Sequence, residues 1–187
     1  MSVGRSVAVL LLLVAAAGCT SPEQRAVDPP PPSARASVAP GGLVAGCEDA
    51  VAQEQDPGRT YRVAAGVVAV PSGDQVLEPL EQASGAGPAR LFAKWGLLVR
   101  SGSTVELSLP PGWGDRARIN WGDSGAEPAT AITVTACTAG PGERPWSVFT
   151  GGTWVAEADC VPIRISTGTE QVTVELSIGA PCRRPGG

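Results

Sequence analysis

The chain has 187 residues, with 14 basic and 18 acidic side chains, and its formal net charge at pH 7 is −4. This balance argues against nucleic acid as a partner and against electrostatic docking on anionic lipid. The chain contains no histidine, which excludes Ser-His-Asp and Cys-His nucleophile systems and all histidine-ligated zinc or copper sites. The composition therefore predicts no metal and no cofactor.

Residues 1–18 have the layout of a bacterial export signal. Arg5 precedes an uninterrupted apolar run over residues 7–17, and Gly18 and Cys19 follow at once. Because a helix needs about 20 apolar residues to cross a bilayer, this run is too short for a permanent anchor. We predict that residues 1–18 are a signal peptide.

The run LVAAAGC, which ends at Cys19, resembles the lipobox of bacterial lipoproteins. The resemblance implies that Cys19 carries diacylglycerol, becomes the mature N-terminus and holds the protein on the extracytoplasmic face of the cell membrane. Ordinary secretion with cleavage before Gly18 is the alternative, since the three preceding alanines also fit a signal-peptidase site. Five cysteines leave one unpaired in an exported chain, which favours lipidation of Cys19.

Residues 19–42 read as the lipidated cysteine followed by a tether. The segment holds six prolines, four of them consecutive at residues 29–32, and almost no large apolar side chain. It cannot bury enough apolar surface to offset the entropy of ordering, so we expect it to stay extended. The remaining residues, 43–187, are predicted to form a single β domain.

Short apolar runs separated by turn residues recur through this domain, and no segment has a helical period. Residues 104–109 and 171–178 alternate most clearly between apolar and polar side chains. Weaker runs predict further strands at residues 61–70, 91–100, 116–121, 131–137, 146–150, 153–158 and 161–166. About nine strands of this kind predict an antiparallel β-sandwich of immunoglobulin-like architecture, with a small β-barrel as the alternative.

Four cysteines remain for two disulfides if Cys19 is lipidated. Residues 150–153 (TGGT) predict a two-residue hairpin turn, and Cys137 and Cys160 bracket that hairpin. Cys47 and Cys182 lie at the two ends of the folded region. Of the three possible connectivities we therefore predict Cys137 with Cys160 and Cys47 with Cys182.

The C-terminal part contains WSVFTGG at residues 146–152, CVPI at 160–163 and IGAPC at 178–182. In these motifs it resembles a β domain of uncharacterised secreted proteins and lipoproteins of actinobacteria, over about the last 90 residues. The resemblance implies a β domain without an assigned activity, and it brings no functional residue.

Two similar motifs, WGDR at residues 113–116 and WGDS at 121–124, predict the ligand-binding surface. Trp113 and Trp121 could stack on a sugar ring, while Asp115 and Asp123 accept hydrogen bonds from its hydroxyls. The alternative is structural: Trp121 ends a strand and packs in the core, and Asp123 caps a turn.

Two functions stay open. The first is a non-catalytic module that binds an envelope glycan or a protein partner. The second is an envelope hydrolase, which would use either a Ser-Lys dyad or paired carboxylates. No catalytic residue is assigned, and the candidates for the second function are Lys94 with Ser101 or Ser103, Glu157 with Asp159, and Glu106 with Glu175.

Overall fold

The computed structural model describes residues 42–82, 87–122 and 125–183. The predicted signal peptide, the lipidation site at Cys19, most of the tether and Asp123 lie outside these residues. Fifteen β-strands and one 3₁₀ turn, Cys47–Asp49, make up the secondary structure, and the described residues contain no α-helix. The strands are β1 (Leu43–Ala45), β2 (Ala52–Glu54), β3 (Tyr61–Ala64), β4 (Val68–Pro71), β5 (Val76–Leu77), β6 (Leu80–Glu81), β7 (Leu91–Lys94), β8 (Leu97–Arg100), β9 (Thr104–Ser108), β10 (Ala117–Trp121), β11 (Ala131–Thr135), β12 (Trp146–Phe149), β13 (Gly151–Val155), β14 (Asp159–Ser166) and β15 (Gln171–Ile178).

The strands form three sheets around one apolar core. The six-stranded sheet has the order β1-β11-β9-β14-β15-β5, the five-stranded sheet β2-β12-β8-β4-β3, and the four-stranded sheet β10-β13-β7-β6. Pairing is antiparallel except between β1 and β11 and between β15 and β5. The predicted all-β sandwich with two disulfides is therefore confirmed, and its strands are more numerous and shorter than predicted.

Alternation of side chains explains why the six-stranded sheet faces the core. In β14, Val161, Ile163 and Ile165 are buried, whereas the residues between them are partly exposed. β15 pairs with β14 in full register from Asp159 opposite Ile178 to Ser166 opposite Gln171. This hairpin supplies the floor of the candidate site described below.

The predicted hairpin at residues 150–153 is wrong. β12 and β13 follow one another without reversing direction, and they pair with β8 and β7 respectively, so the two segments 91–100 and 146–155 form one long ribbon. A Cβ on Gly151 would overlap the backbone of β10, and one on Gly152 would overlap that of β7. The two glycines are thus required by close backbone approach where the ribbon passes from the five-stranded to the four-stranded sheet, which gives the sandwich a curled, half-barrel side.

The single strands predicted for residues 61–70 and 91–100 are each two strands. The first folds back at Ala65–Val67 into the β3–β4 hairpin. The second is interrupted at Trp95 and Gly96, where the ribbon changes sheets. Both segments look continuous in sequence because their apolar side chains run on through the break.

The predicted disulfide connectivity is also wrong. The bridges are Cys47–Cys137 and Cys160–Cys182. β9 lies between β11 and β14 in the sheet. Cys137 follows the end of β11 at which Thr135 pairs with Thr104 of β9, whereas Cys160 lies near the opposite end of β14. Continued along these registers, Cys137 and Cys160 are about ten residues apart, or about 33 Å at about 3.3 Å per residue, far beyond the reach of a disulfide.

A small second cluster covers the outer face of the five-stranded sheet. Ala69, Leu98 and Trp146 are buried there, with Tyr61 and Val148 packed against them. Burial raises the pKa of the Tyr61 phenol, and a backbone hydrogen bond with Gly96 partly opposes that shift. This cluster occupies the side of the sheet that faces away from the main core.

Candidate binding groove beside the C-terminal disulfide

Trp121 is part of the core, so the structural interpretation of that residue holds. It is 1% exposed, its Nε1 donates a 3.3 Å hydrogen bond to the carbonyl oxygen of Trp95, and its ring meets the Trp95 ring edge-on at 4.6 Å. Trp95 in turn donates to Thr153 Oγ1 at 3.1 Å. Trp121 is therefore unavailable to a ligand, and its predicted binding role is wrong.

Trp113 is less exposed than a stacking platform requires. Its side chain is partly buried against the core, and the guanidinium of Arg116 lies 4.0 Å from the ring centroid. Arg116 is fixed in turn by an ion pair with Asp159. One face of Trp113 is thus covered by a cation, which leaves the ring as a wall of a site and not as a platform for a sugar. Asp115 is exposed in the turn before β10.

Trp113 does line a cavity of about 470 Å³. We call it the apolar cavity because most of the lining comes from Trp113, Ala158, Pro162, Ala180 and Pro181. Asp159, Cys160, Glu175 and Arg183 complete its wall. The carboxylate of Asp159 is already paired with Arg116, so the charges in this cavity that lack an ion-pair partner among the described residues are those of Glu175 and Arg183.

A larger cavity of about 650 Å³ adjoins the first and shares Glu175 and Arg183 with it. We call it the charged cavity because Arg62, Asp74, Glu175 and Arg183 line it, together with Gly73, Thr173 and Cys182. Two cationic and two anionic side chains leave its lining with no net formal charge. The apolar cavity and the charged cavity together are the C-terminal groove.

Strand alternation aims the floor of this groove outward. Cys160 and Pro162 on β14, and Thr173 and Glu175 on β15, alternate with the buried residues of the same strands. Beyond β15 the chain turns at Gly179, which has a φ of +66° and comes so close to Ala158 that a Cβ would stand 2.9 Å from it. The returning segment is fixed by the disulfide and by a 3.0 Å hydrogen bond from the Cys182 amide to Ser177 Oγ.

Arg62 fastens the charged cavity to the five-stranded sheet. It extends from β3, and its Nη2 donates a 2.8 Å hydrogen bond to the carbonyl oxygen of Glu175 on β15. β3 and β5 are the edge strands on this side of the sandwich, and β1 and β2 are the edge strands on the other. The described chain enters the sheet through β1. Four strand-to-strand spacings, or about 19 Å, separate β1 from β15 across the sheet.

Comparison of the chain with protein-family models, with curated proteins and with solved structures finds no match.

A metal is not expected in the groove. The Sγ atoms of Cys160 and Cys182 and a carboxylate oxygen of Glu175 lie within 4.8 Å of one another. Both sulfur atoms are engaged in the disulfide, however, so neither is available as a thiolate ligand.

The constellations considered for a hydrolase do not assemble. Lys94 is exposed on β7, and the whole of β8, about 13 Å of extended chain, lies between it and Ser101. Glu106 lies beside Ser166 whereas Glu175 lies beside Pro162, four residues and about 13 Å further along β14. This exceeds the roughly 5–9.5 Å that separates the carboxyl groups of glycosidases.

The remaining carboxylate pair is divided by its contacts. Asp159 accepts hydrogen bonds from Arg116 and from the Cys160 amide. Glu157 is exposed in the bend between β13 and β14. A carboxylate held by a guanidinium is poorly suited to act as a general base or acid, so this pair favours a structural role.

Sequence reasoning identified Trp113 and missed most of the groove. Arg62, Asp74 and Arg183 come from a strand, a turn and the C-terminal segment, and only the sheet order brings them to Glu175. The outward position of Glu175 on an alternating strand, four residues before the Gly-Ala-Pro-Cys run that ends at Cys182, was the one available signal.

The disulfides also bear on the location of the protein. Two bridges in one domain indicate an oxidising, extracellular environment. Among the described residues, none of the helical structure is long and apolar enough to cross a membrane.

Proposed function

We propose that this protein is a non-catalytic binding module, lipid-anchored at Cys19 on the extracytoplasmic face of the cell membrane, and that the C-terminal groove is its recognition surface. The export signal with its lipobox-like end supports the anchor. The Pro-rich tether would hold the domain away from the bilayer. An envelope glycan or a protein is the partner class that such a location offers.

The observation that carries the recognition role is the pair of adjoining cavities. At about 650 and 470 Å³ both fall within the size range of ligand sites, and they combine an apolar wall with charged groups of both signs. Among the described residues, neither Arg183 nor Asp74 forms an ion pair or a side-chain hydrogen bond. Such side chains keep their bonding capacity for a partner.

The position of the groove supports the same role. It lies at the edge of the sandwich opposite β1, through which the described chain enters. About 19 Å of sheet separates β15, which lines the groove, from β1, where the predicted tether joins the domain. The groove is therefore clear of the attachment point.

The anchor is tested by fractionation of cells that produce the wild type or Cys19→Ser. We expect the wild type in the membrane fraction with diacylglycerol on Cys19, and the variant in the medium. A wild-type mature chain that begins with an unmodified Gly18 would contradict the anchor.

The recognition role is tested by chemical cross-linking on intact cells. We expect Asp74→Asn combined with Arg183→Gln to lose most of the captured partner. Glu106→Gln combined with Arg164→Gln is the matched control, since both residues lie on the outer face of the same sheet and outside the groove. Equal capture by the two double variants would remove the groove from consideration.

A further inference from the structure

The charged cavity lies beside the part of β15 that β5 does not cover. β5 pairs with β15 only at Ser177 and Ile178, so the part of β15 from Gln171 to Glu175 has no neighbouring strand on that side among the described residues. We infer that this open edge accepts an extended peptide segment of a partner as an added strand. The inference rests on the proposed function, because it names the ligand class of the same groove.

The backbone of β15 is oriented for this pairing. Pro162 has no amide hydrogen, and it stands directly opposite Glu175. In an antiparallel ladder, residues of such a non-hydrogen-bonded pair direct their own N–H and C=O groups away from each other. Glu175 and, two residues earlier, Thr173 therefore present these groups to the open edge.

The contact of Arg62 supports this orientation. Its guanidinium donates to the Glu175 carbonyl oxygen from the open side of β15, where a neighbouring strand would otherwise donate an amide. The Glu175 amide and both backbone polar groups of Thr173 remain for a ligand strand. A charged side chain placed over an open edge also guards it against uncontrolled pairing.

The side chains around the open edge define the peptide that fits. An added strand would place alternate residues on the two sides of the sheet. On the outer side they would meet Asp74, Glu175 and Arg183, which favour charges of both signs. On the inner side they would extend the apolar layer at Val172, which is only partly buried at the margin of the core. The expected peptide therefore alternates apolar residues with charged residues of mixed sign.

A peptide explains the site better than a sugar does. Four of the five tryptophans are buried, and Trp113 has one face covered by Arg116. Trp113 is the one aromatic residue among the described residues that line the groove, so the groove lacks an open stacking platform for a sugar ring. The lining of the charged cavity has no net formal charge, so it gives an anionic glycan no electrostatic advantage.

The test uses the mature chain with Cys19→Ser and a set of acetylated, amidated hexapeptides. Each peptide has valine at every second position and lysine, glutamate or threonine between. We expect binding by members that carry both lysine and glutamate, and at least tenfold slower hydrogen exchange of the Thr173 and Glu175 amides when such a peptide is bound. N-methylation of the peptide along one edge should weaken binding at least tenfold, since it removes the amide hydrogens that pair with β15.

Two variants separate the backbone from the side chain. Thr173→Pro removes an edge amide and should abolish peptide binding, whereas Thr173→Ala keeps that amide and should bind within threefold of the parent. The integrity of Thr173→Pro is checked by its retained Cys160–Cys182 bridge and unchanged exchange of the core amides of β14.

Several outcomes would overturn the inference. These are absence of binding throughout the set, binding that is insensitive to N-methylation, and protection of amides at another sheet edge. Protection that grows with protein concentration alone would instead indicate pairing between two copies of the chain. If the groove variants lose partner capture on cells while no peptide binds, the proposed function stands and the added strand does not.

Discussion

Pairwise removal of cysteines gives a quantitative test of the observed connectivity. Cys47 and Cys137 are 90 residues apart in sequence, and Cys160 and Cys182 are 22 apart. In the chain-entropy treatment, cross-links closing loops of these lengths stabilise the fold by about 4.6 and about 3.4 kcal/mol, respectively. We expect Cys47→Ser/Cys137→Ser to lose about 1 kcal/mol more of the unfolding free energy than Cys160→Ser/Cys182→Ser.

The assay is urea unfolding of the mature chain with Cys19→Ser, combined with thiol titration. Each of the two variants above should contain no free thiol. The variant Cys137→Ser/Cys160→Ser should contain two free thiols, because it leaves Cys47 and Cys182 without partners next to β1 and β15, which are about 19 Å apart across the six-stranded sheet. A Cys137→Ser/Cys160→Ser protein that lacks free thiols and keeps one bridge would refute the connectivity and, with it, the observed sheet order.

Three further predictions concern the core and its margins. Gly152→Ala should lower the unfolding free energy by about 2 kcal/mol or more, since the new Cβ would overlap the backbone of β7, whereas Gly168→Ala, with open space around it, should change it by less than about 0.5 kcal/mol in urea titrations; equal effects would contradict the close approach. Trp121→Ala should lower the unfolding free energy by about 3–5 kcal/mol, and Trp113→Ala should lower it clearly less. The reverse order would mean that Trp113, and not Trp121, is the core residue. Tyr61, the only tyrosine, should titrate in the folded protein, followed by absorbance at 295 nm, above the usual tyrosine pKa of 10.0. Its raised pKa contributes stability that is complete below pH 10 and is lost as the pH rises through the folded-state pKa. Tyr61→Phe should therefore lose less unfolding free energy than the wild type at alkaline pH, and identical pH profiles of the unfolding free energy would contradict the burial of Tyr61.

The parts of the fold that follow from local pattern were predictable. The alternation in residues 171–178 and 161–166 predicted β15 in full and most of β14, because one face of each strand is buried and the other is not. Apolar periodicity reports burial, and burial decides such strands.

What the sequence could not predict depends on which strands become neighbours. Gly151-Gly152 has the composition of a hairpin turn, yet the same two residues also suit a close approach of two backbones, and only the tertiary structure distinguishes these uses. The error then carried over to the cysteines, since the predicted bridge between Cys137 and Cys160 assumed that their strands are adjacent.

The groove was unpredictable for a related reason. Arg62 and Glu175 are 113 residues apart in sequence and meet through a backbone carbonyl, a contact that leaves no trace in the type of the accepting residue. Trp113 was found because a tryptophan next to an aspartate is conspicuous. The covering of its ring by Arg116 depends on the partner of that arginine, Asp159, 43 residues away.

The central claim, that the C-terminal groove is where this protein meets its partner, is tested most directly by site-specific photo-cross-linking on intact cells. A photoreactive amino acid is placed in turn at Asp74 and Pro162 within the groove, and at Glu106 and Val44 on the outer face of the same sheet away from it. We predict that one discrete partner is captured from both groove positions and from neither of the other two. Capture from Glu106 or Val44 with none from the groove would contradict the claim.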